Sequence, residues 1–146
     1  MEDIQLTPEA IRIHKEMQKY TDDQLKDLTL TQRRIMNAAP NFWQHKLIAE
    51  CVWARNCAAN PKKGDKFVFM AGGVLIPEES TFPGLCVWAI ARFLPFFHIV
   101  YDRLAEGLDP SPVGWDHVKC ADVGVENGGV GEVLFKIYCI KAPSER

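Results

Sequence analysis

The 146-residue sequence lacks most of the signatures by which chemistry announces itself. It has no His-Glu-x-x-His, no Gly-x-Gly-x-x-Gly following a strand pattern and no P-loop, so the common motifs for zinc hydrolysis, dinucleotide binding and nucleotide hydrolysis are missing. Its five cysteines are odd in number and contain no Cys-x-x-Cys pair. That argues against a disulfide framework and a standard structural zinc site, and points to a reducing cytoplasm. Neither sign of charge dominates: the net charge is -2 and the basic residues are scattered, leaving no electrostatic footprint for nucleic acid or an anionic membrane. The start, Met1-Glu2-Asp3, is acidic and has no apolar segment behind it, unlike a secretory or transit peptide. No apolar run reaches the roughly 20 residues of a membrane span. No cofactor and no metal site is expected.

What is present is a globular composition. A hydrophobic fraction of 47% with 25% charged residues is enough for a core and argues against disorder. The first forty residues read as short helices. Thr7-Pro8-Glu9 supplies an N-cap, a proline at the first helical position and an acid near the positive helix end. Ala10, Ile13, Met17 and Tyr20 then recur at spacings of three and four. Thr21-Asp22-Asp23-Gln24 is a capping-box pattern, and a third helical stretch from about Leu30 stops before Pro40. The stripe is narrow, so residues 1–40 are expected to be a covering or docking extension to a domain spanning 41–146.

Beyond Pro40 the period shortens. Lys46 to Cys57 suits a strand with both faces largely covered. Asn60 to Asp65 reads as a turn and Lys66 to Met70 as a second strand. Residues Pro83 to Tyr101 are nearly all apolar; between Leu85 and Tyr101 only Arg92 and His98 are strongly polar. The run predicts a buried helix, bent or broken at Pro95 and resuming to about Glu106. His117 to Val123 reads as a strand, Asn127-Gly128 as a tight turn, and Val133 to Ile140 as a last strand. The predicted fold is α+β: a small, mostly antiparallel sheet packed on one Pro-kinked hydrophobic helix, with an N-terminal helical extension.

Three pieces keep a familiar order: Lys63-Gly64-Asp65-Lys66-Phe67-Val68, then Leu85-Cys86-Val87-Trp88-Ala89, then Cys120-Ala121-Asp122 followed by Val133-Leu134-Phe135-Lys136-Ile137. In this respect residues 46–141 resemble a family of small, uncharacterised bacterial proteins with a Gly-Asp-x-Phe strand, a Cys-x-Trp-Ala helix and a final Val-x-Phe-x-Ile strand. The resemblance covers about two-thirds of the chain and implies a compact α+β unit. It implies no activity. The helical first forty residues and the Pro110–Gly114 loop are additions to that pattern.

The candidate site residues cluster on the apolar run. Cys86, near a predicted helix start, would have its thiolate favoured by the helix dipole, although a free cysteine more often fills a core. His98 lies about 18 Å along a continuous helix from Cys86 at 1.5 Å per residue, too far for a dyad. His98 and Asp102 share a helix surface, and a carboxylate there orients an imidazole. His117 reaches this region only through tertiary contacts. Trp88, Arg92 and Phe96, at steps of four, form one stripe that with Tyr101 could wall an aromatic pocket with a cation in it for a small aromatic or carboxylate ligand. Arg92 equally could pair with an acid elsewhere or reach solvent along its stem.

Two functional readings follow. In one, the chain is a non-catalytic small subunit or binding module that docks through aromatic and apolar surfaces onto a larger metabolic enzyme or a second copy. In the other, it is a small metabolic enzyme acting on an aromatic or apolar organic acid, with Arg92 on the carboxylate and Cys86, His98 or His117 in acid–base or nucleophilic roles. The absence of a complete catalytic constellation favours the first.

Overall fold

Threonines start each of the first three helices in the computed structural model, which describes residues 3–111 and 114–143. Helix α1 (Pro8–Gln18) is capped by the Thr7 hydroxyl, which accepts from the Ala10 N–H at 3.1 Å. Helix α2 (Asp22–Lys26) carries the expected Thr21–Gln24 capping box. Helix α3 (Leu30–Asn37) carries another, Thr29–Gln32. Each satisfies two amide donors that a helix start leaves unpaired. Helix α4 (Ala39–Gln44) follows at once, with Pro40 in its first turn where no amide is needed. The expected division at residue 40 therefore falls inside a helix. Ala38 and Phe42 are buried in the same core cluster as the sheet.

The sheet has four strands, β1 (His45–Arg55), β2 (Lys66–Met70), β3 (His117–Lys119) and β4 (Glu132–Lys141). Its spatial order is β2-β1-β4-β3 and every pairing is antiparallel. The protein is thus α+β with a small antiparallel sheet. The long β1–β4 ladder forms the spine, with a register shift between Cys51 and Trp53 that places Trp53 opposite Leu134. Before the shift β1 is mostly covered, Leu47, Ile48, Ala49 and Cys51 being buried; after it Trp53 and Arg55 emerge. Strand β3 is shorter than its sequence pattern, ending at Lys119 rather than Val123.

One face of the sheet meets the apolar run through phenylalanine. Phe67 from β2, Phe135 from β4 and Phe93 are fully or almost fully buried. Phe93 packs edge-on against Phe135 at 5.0 Å and against Phe67 at 5.7 Å between ring centroids. Phe82 stacks on Phe67 at 4.5 Å. Val100 and Leu104 continue the contact along the following helix.

The run itself is not one kinked helix. It forms α5 (Val87–Ile90) and α6 (Leu94–Ala105), joined by a turn. The turn runs on i→i−3 bonds, Arg92 N–H to the Ala89 carbonyl and Phe93 N–H to the Ile90 carbonyl, both 3.0 Å. Pro95 lies in the first turn of α6, so it starts a helix instead of bending one. Nor is the run buried all round. Ala89, Phe93, Val100 and Leu104 face the core, while Leu85, Val87, Trp88, Leu94 and Ile99 are exposed. A single sheet face can cover only one side of these helices.

The Asn127-Gly128 connection is also more elaborate than a tight turn. The Asp122 carboxylate accepts three backbone N–H bonds across the loop, from Gly124 and Val130 at 3.0 Å and from Gly131 at 2.9 Å. These amides hold the Asp122 carboxyl below its ordinary value. Gly124 has φ +83°, and a Cβ there would lie 2.3 Å from the Glu132 side chain; one on Gly129 would lie 2.0 Å from Asp122. Glu132 is buried between Lys119 at 2.5 Å and Arg55 at 2.9 Å, and Lys119 above all, with Arg55, lowers its pKa. No buried side-chain nitrogen or oxygen among the described residues lacks a partner.

Two outcomes are expected. Phe135→Ala removes a ring at the centre of the phenylalanine cluster and should cost about 3–5 kcal/mol of unfolding free energy, read from urea denaturation. Asp122→Asn should lower the melting temperature at neutral pH. Because the folded-state pKa of Asp122 is depressed, its contribution is fully present above the ordinary carboxylate pKa, about 4, and is lost as the pH falls through the folded value. The gap between wild type and variant must therefore shrink in acid; an undiminished gap at pH 2.5 would contradict the role given to the carboxylate.

Candidate functional site

The structure disperses the residues that the sequence suggested as a site. Cys86 precedes α5, half-buried, as its N-cap residue. His98 and Asp102 both stand exposed on α6, and no hydrogen bond joins them among the described residues. His117 is exposed on β3, with Nδ1 at 2.7 Å from the Asp116 carboxylate. That contact, led by the hydrogen bond itself, lowers the Asp116 pKa. None of Cys86, His98, Asp102 and His117 touches another by a hydrogen bond among the described residues, so they form no nucleophile–base or base–orienter pair.

The Trp88-Arg92-Phe96 stripe is broken as well. It assumes 3.6 residues per turn throughout, whereas the turn between α5 and α6 is wound more tightly. Arg92 falls in that turn, exposed and without an ion pair or side-chain hydrogen bond among the described residues. It reaches solvent and holds no acid. Trp88 is 65% exposed, and its carbonyl accepts from the Ala121 N–H at 2.9 Å, tying α5 to the Asp122 loop. Phe96 is half-buried and lines a shallow depression of about 380 Å³ with Pro95, Ile99, Gly114 and Trp115. Trp115 is 91% exposed.

These residues define an apolar surface along α5 and α6. Trp88 stands exposed on α5, and Trp115, in the loop before β3, stands exposed beside Phe96 and Ile99 of α6. Leu85 just before α5, Val87 on α5, and Leu94 and Ile99 on α6 are further exposed apolar side chains.

Tyr101 lies elsewhere. Its ring stacks on Phe42 at 4.3 Å between centroids and lines a second hollow, about 400 Å³, between the N-terminal helices and the end of β2. Burial, and then the nearby Tyr20, raise the Tyr101 pKa, keeping its hydroxyl neutral. Ile13, Ile35 and Met70 supply aliphatic walls, and Trp43 stands at the edge. His14 and Gln18 are the polar residues lining it besides Tyr101 with its hydroxyl and Trp43 with its indole N–H. His14 is buried, with 8% exposure; its Nε2 meets the Met36 carbonyl oxygen at 3.2 Å and its Nδ1 the Gln18 side-chain oxygen Oε1. The sequence reading missed His14 because it followed Ala10, Ile13 and Met17. The buried residues of α1 are Ala10 and His14, an i,i+4 pair, and Met17 is exposed.

The cysteines are free. Burial raises the Cys51 thiol and pushes Cys139 up to about 11, so both are core side chains kept in the unreactive thiol form. Among the described residues no cluster of three or more His, Cys, Asp or Glu side chains is placed to hold a metal ion, and no helix is long and apolar enough to cross a membrane.

No family model, curated protein or solved structure matches the chain. Its site is therefore read from its own surfaces.

An exposed guanidinium without a partner contributes little to folding. Arg92→Ala should change the unfolding free energy by less than about 0.5 kcal/mol in urea titrations; a loss of several times that would mean that Arg92 holds a buried acid after all.

Proposed function

We propose that the chain is a non-catalytic binding module that assembles through the apolar surface of α5 and α6, its first partner being a second copy of itself. The observation that carries this reading is the exposure of Trp88, Leu94 and Ile99 on a helical segment whose other side already fills the core, with the exposed Trp115 of the loop before β3 lining the same depression as Ile99. Exposed apolar area of this extent, rich in tryptophan, is typical of interaction sites.

A second copy is favoured because the segment carries both halves of a contact. Trp88 projects, and the depression floored by Pro95, Phe96 and Ile99 receives. In a two-fold assembly a knob and a hollow on one surface are each used twice. Arg92 and Asp102, both exposed and neither paired among the described residues, add opposite charges to the same stretch, so a self-contact would not bring together one sign alone. Docking onto a larger metabolic enzyme uses the same surface without the self-complementarity. The enzyme reading finds no support in the positions of Cys86, His98, Asp102 and His117, which share no hydrogen bond among the described residues.

Sedimentation velocity from about 1 to 100 μM decides the matter, a range that spans the micromolar affinities of modest interfaces. The wild type should shift from monomer to dimer across that range, and Trp88→Asp and Leu94→Glu, both surface changes, should stay monomeric while melting within a few degrees of wild type. A wild type that stays monomeric throughout removes the self-association, and binding to a larger enzyme that Trp88→Asp abolishes would then assign the surface to that partner.

A further inference from the structure

The hollow between the N-terminal helices and the sheet points to a second property, which rests on none of the docking surface. We propose that it is a binding site for the anion of an aromatic carboxylic acid of about two fused rings, its carboxylate held at His14.

Size sets the apolar part. A cavity of about 150 Å³ accepts benzene when its walls are apolar, and this one holds about 400 Å³. Ile13, Ile35 and Met70 give it aliphatic walls. Phe42, stacked on Tyr101, gives ring surface for a flat ligand to pack against. Ligand pockets are of this size and kind, mostly apolar with a few placed polar groups.

The polar groups set the rest, and they are donors. His14 Nε2 faces the Met36 carbonyl oxygen at 3.2 Å, and Nδ1 faces the Gln18 side-chain oxygen. Both oxygens only accept. The ring form that satisfies both carries hydrogen on each nitrogen and is a cation. Tyr20 packs edge-on against this ring at 5.9 Å between centroids, and Tyr101 lines the same hollow. No Lys, Arg, Asp or Glu lines it. His14 is thus a buried pair of donors with no counter-charge in the lining, and an entering anion supplies one. The neutral Tyr101 hydroxyl and the Trp43 indole N–H are further donors there.

Gln18 provides the way in. Its side chain is exposed, so it can turn outward and bond to water instead. A carboxylate oxygen then takes the place of the amide oxygen at Nδ1–H. A hydrogen bond to an ionised acceptor is stronger than one to an amide. This seat is separate from Arg92, which lies in the turn between α5 and α6 and does not line the hollow.

Calorimetry with the full chain tests the assignment at pH 6, between the ordinary carboxylate value of about 4 and the ordinary imidazole value of about 6.5. The probes are 2-naphthoate, 2-naphthol and the cation 2-naphthylmethylammonium. The expected result is saturable one-to-one binding of 2-naphthoate, with 2-naphthol weaker by about tenfold or more and no binding of the cation. His14→Gln keeps a donor without a charge and should weaken 2-naphthoate by about tenfold or more while changing 2-naphthol less. Gln18→Ala, a surface change, removes the competing oxygen and should tighten 2-naphthoate by up to about tenfold. Gly72→Phe fills the hollow and should abolish binding. Its Cβ meets nothing within 4 Å and φ is not positive, so it gives a folded variant even if His14→Gln does not. The proposal is overturned by absence of 2-naphthoate binding, by equal affinity for 2-naphthol, by weaker binding in Gln18→Ala, or by wild-type affinity in folded Gly72→Phe.

Discussion

One ring organises this molecule. Phe93 sits in a three-residue turn, fully buried, with its edge on Phe135 and its neighbour Phe67 beside it. Because the turn carries the buried anchor, the short helix before it and the longer helix after it are both pinned to the sheet at their junction. Their other surfaces are left facing outward. The docking surface is therefore a consequence of how the core is closed: a fold with one sheet face and no second layer can bury only half of so apolar a segment. The exposure of Trp88 on α5, and the depression on α6, follow from that geometry.

The two candidate sites differ in how they are built. The α5–α6 surface is a by-product of core packing and is flat or shallow. The inner hollow depends on chain order: α1 and α3 must lie across the end of β2 for Ile13, Ile35 and Met70 to meet. Capping threonines and the Asn37 side chain hold that layer in place, Asn37 bonding both the Thr7 N–H at 2.9 Å and the Gln5 carbonyl at 2.8 Å. The N-terminal helices thus do more than cover the sheet, since Ala38 and Phe42 join its core.

Local chemistry was legible in the sequence, and long-range arrangement was not. Thr7, Thr21 and Pro40 mark helix starts because capping is decided within four residues. The alternation of Val133, Phe135, Ile137 and Cys139 fixes the inward face of β4 because a strand has period two. The apolar run was recognisable as central and as bent or broken near Pro95, but not the place of the break, which falls at residues 91–93, because Pro95 is compatible with either a kink or a start. Arg92 looked buried from its neighbours in sequence and is exposed in space. Asp122, noticed in the sequence only as part of Cys120-Ala121-Asp122, proves to hold a whole loop through three backbone amides. The hollow was invisible because its walls come from elements up to about ninety residues apart, and no spacing rule joins Ile13 to Tyr101.

The choice of phenylalanine for the core has a further effect on how this protein can be watched. The large fully buried rings are Phe67, Phe93 and Phe135, while all four tryptophans lie at or near the surface, between 41% and 91% exposed. Trp53 is flanked by Arg55 and Lys119, each within 6 Å of its ring centre at 5.7 and 5.9 Å. Trp43 borders the hollow, and Trp88 and Trp115 belong to the docking surface. Indole emission from this chain therefore reports contacts made at its surface far more than the integrity of its interior, and each tryptophan is a separate local probe.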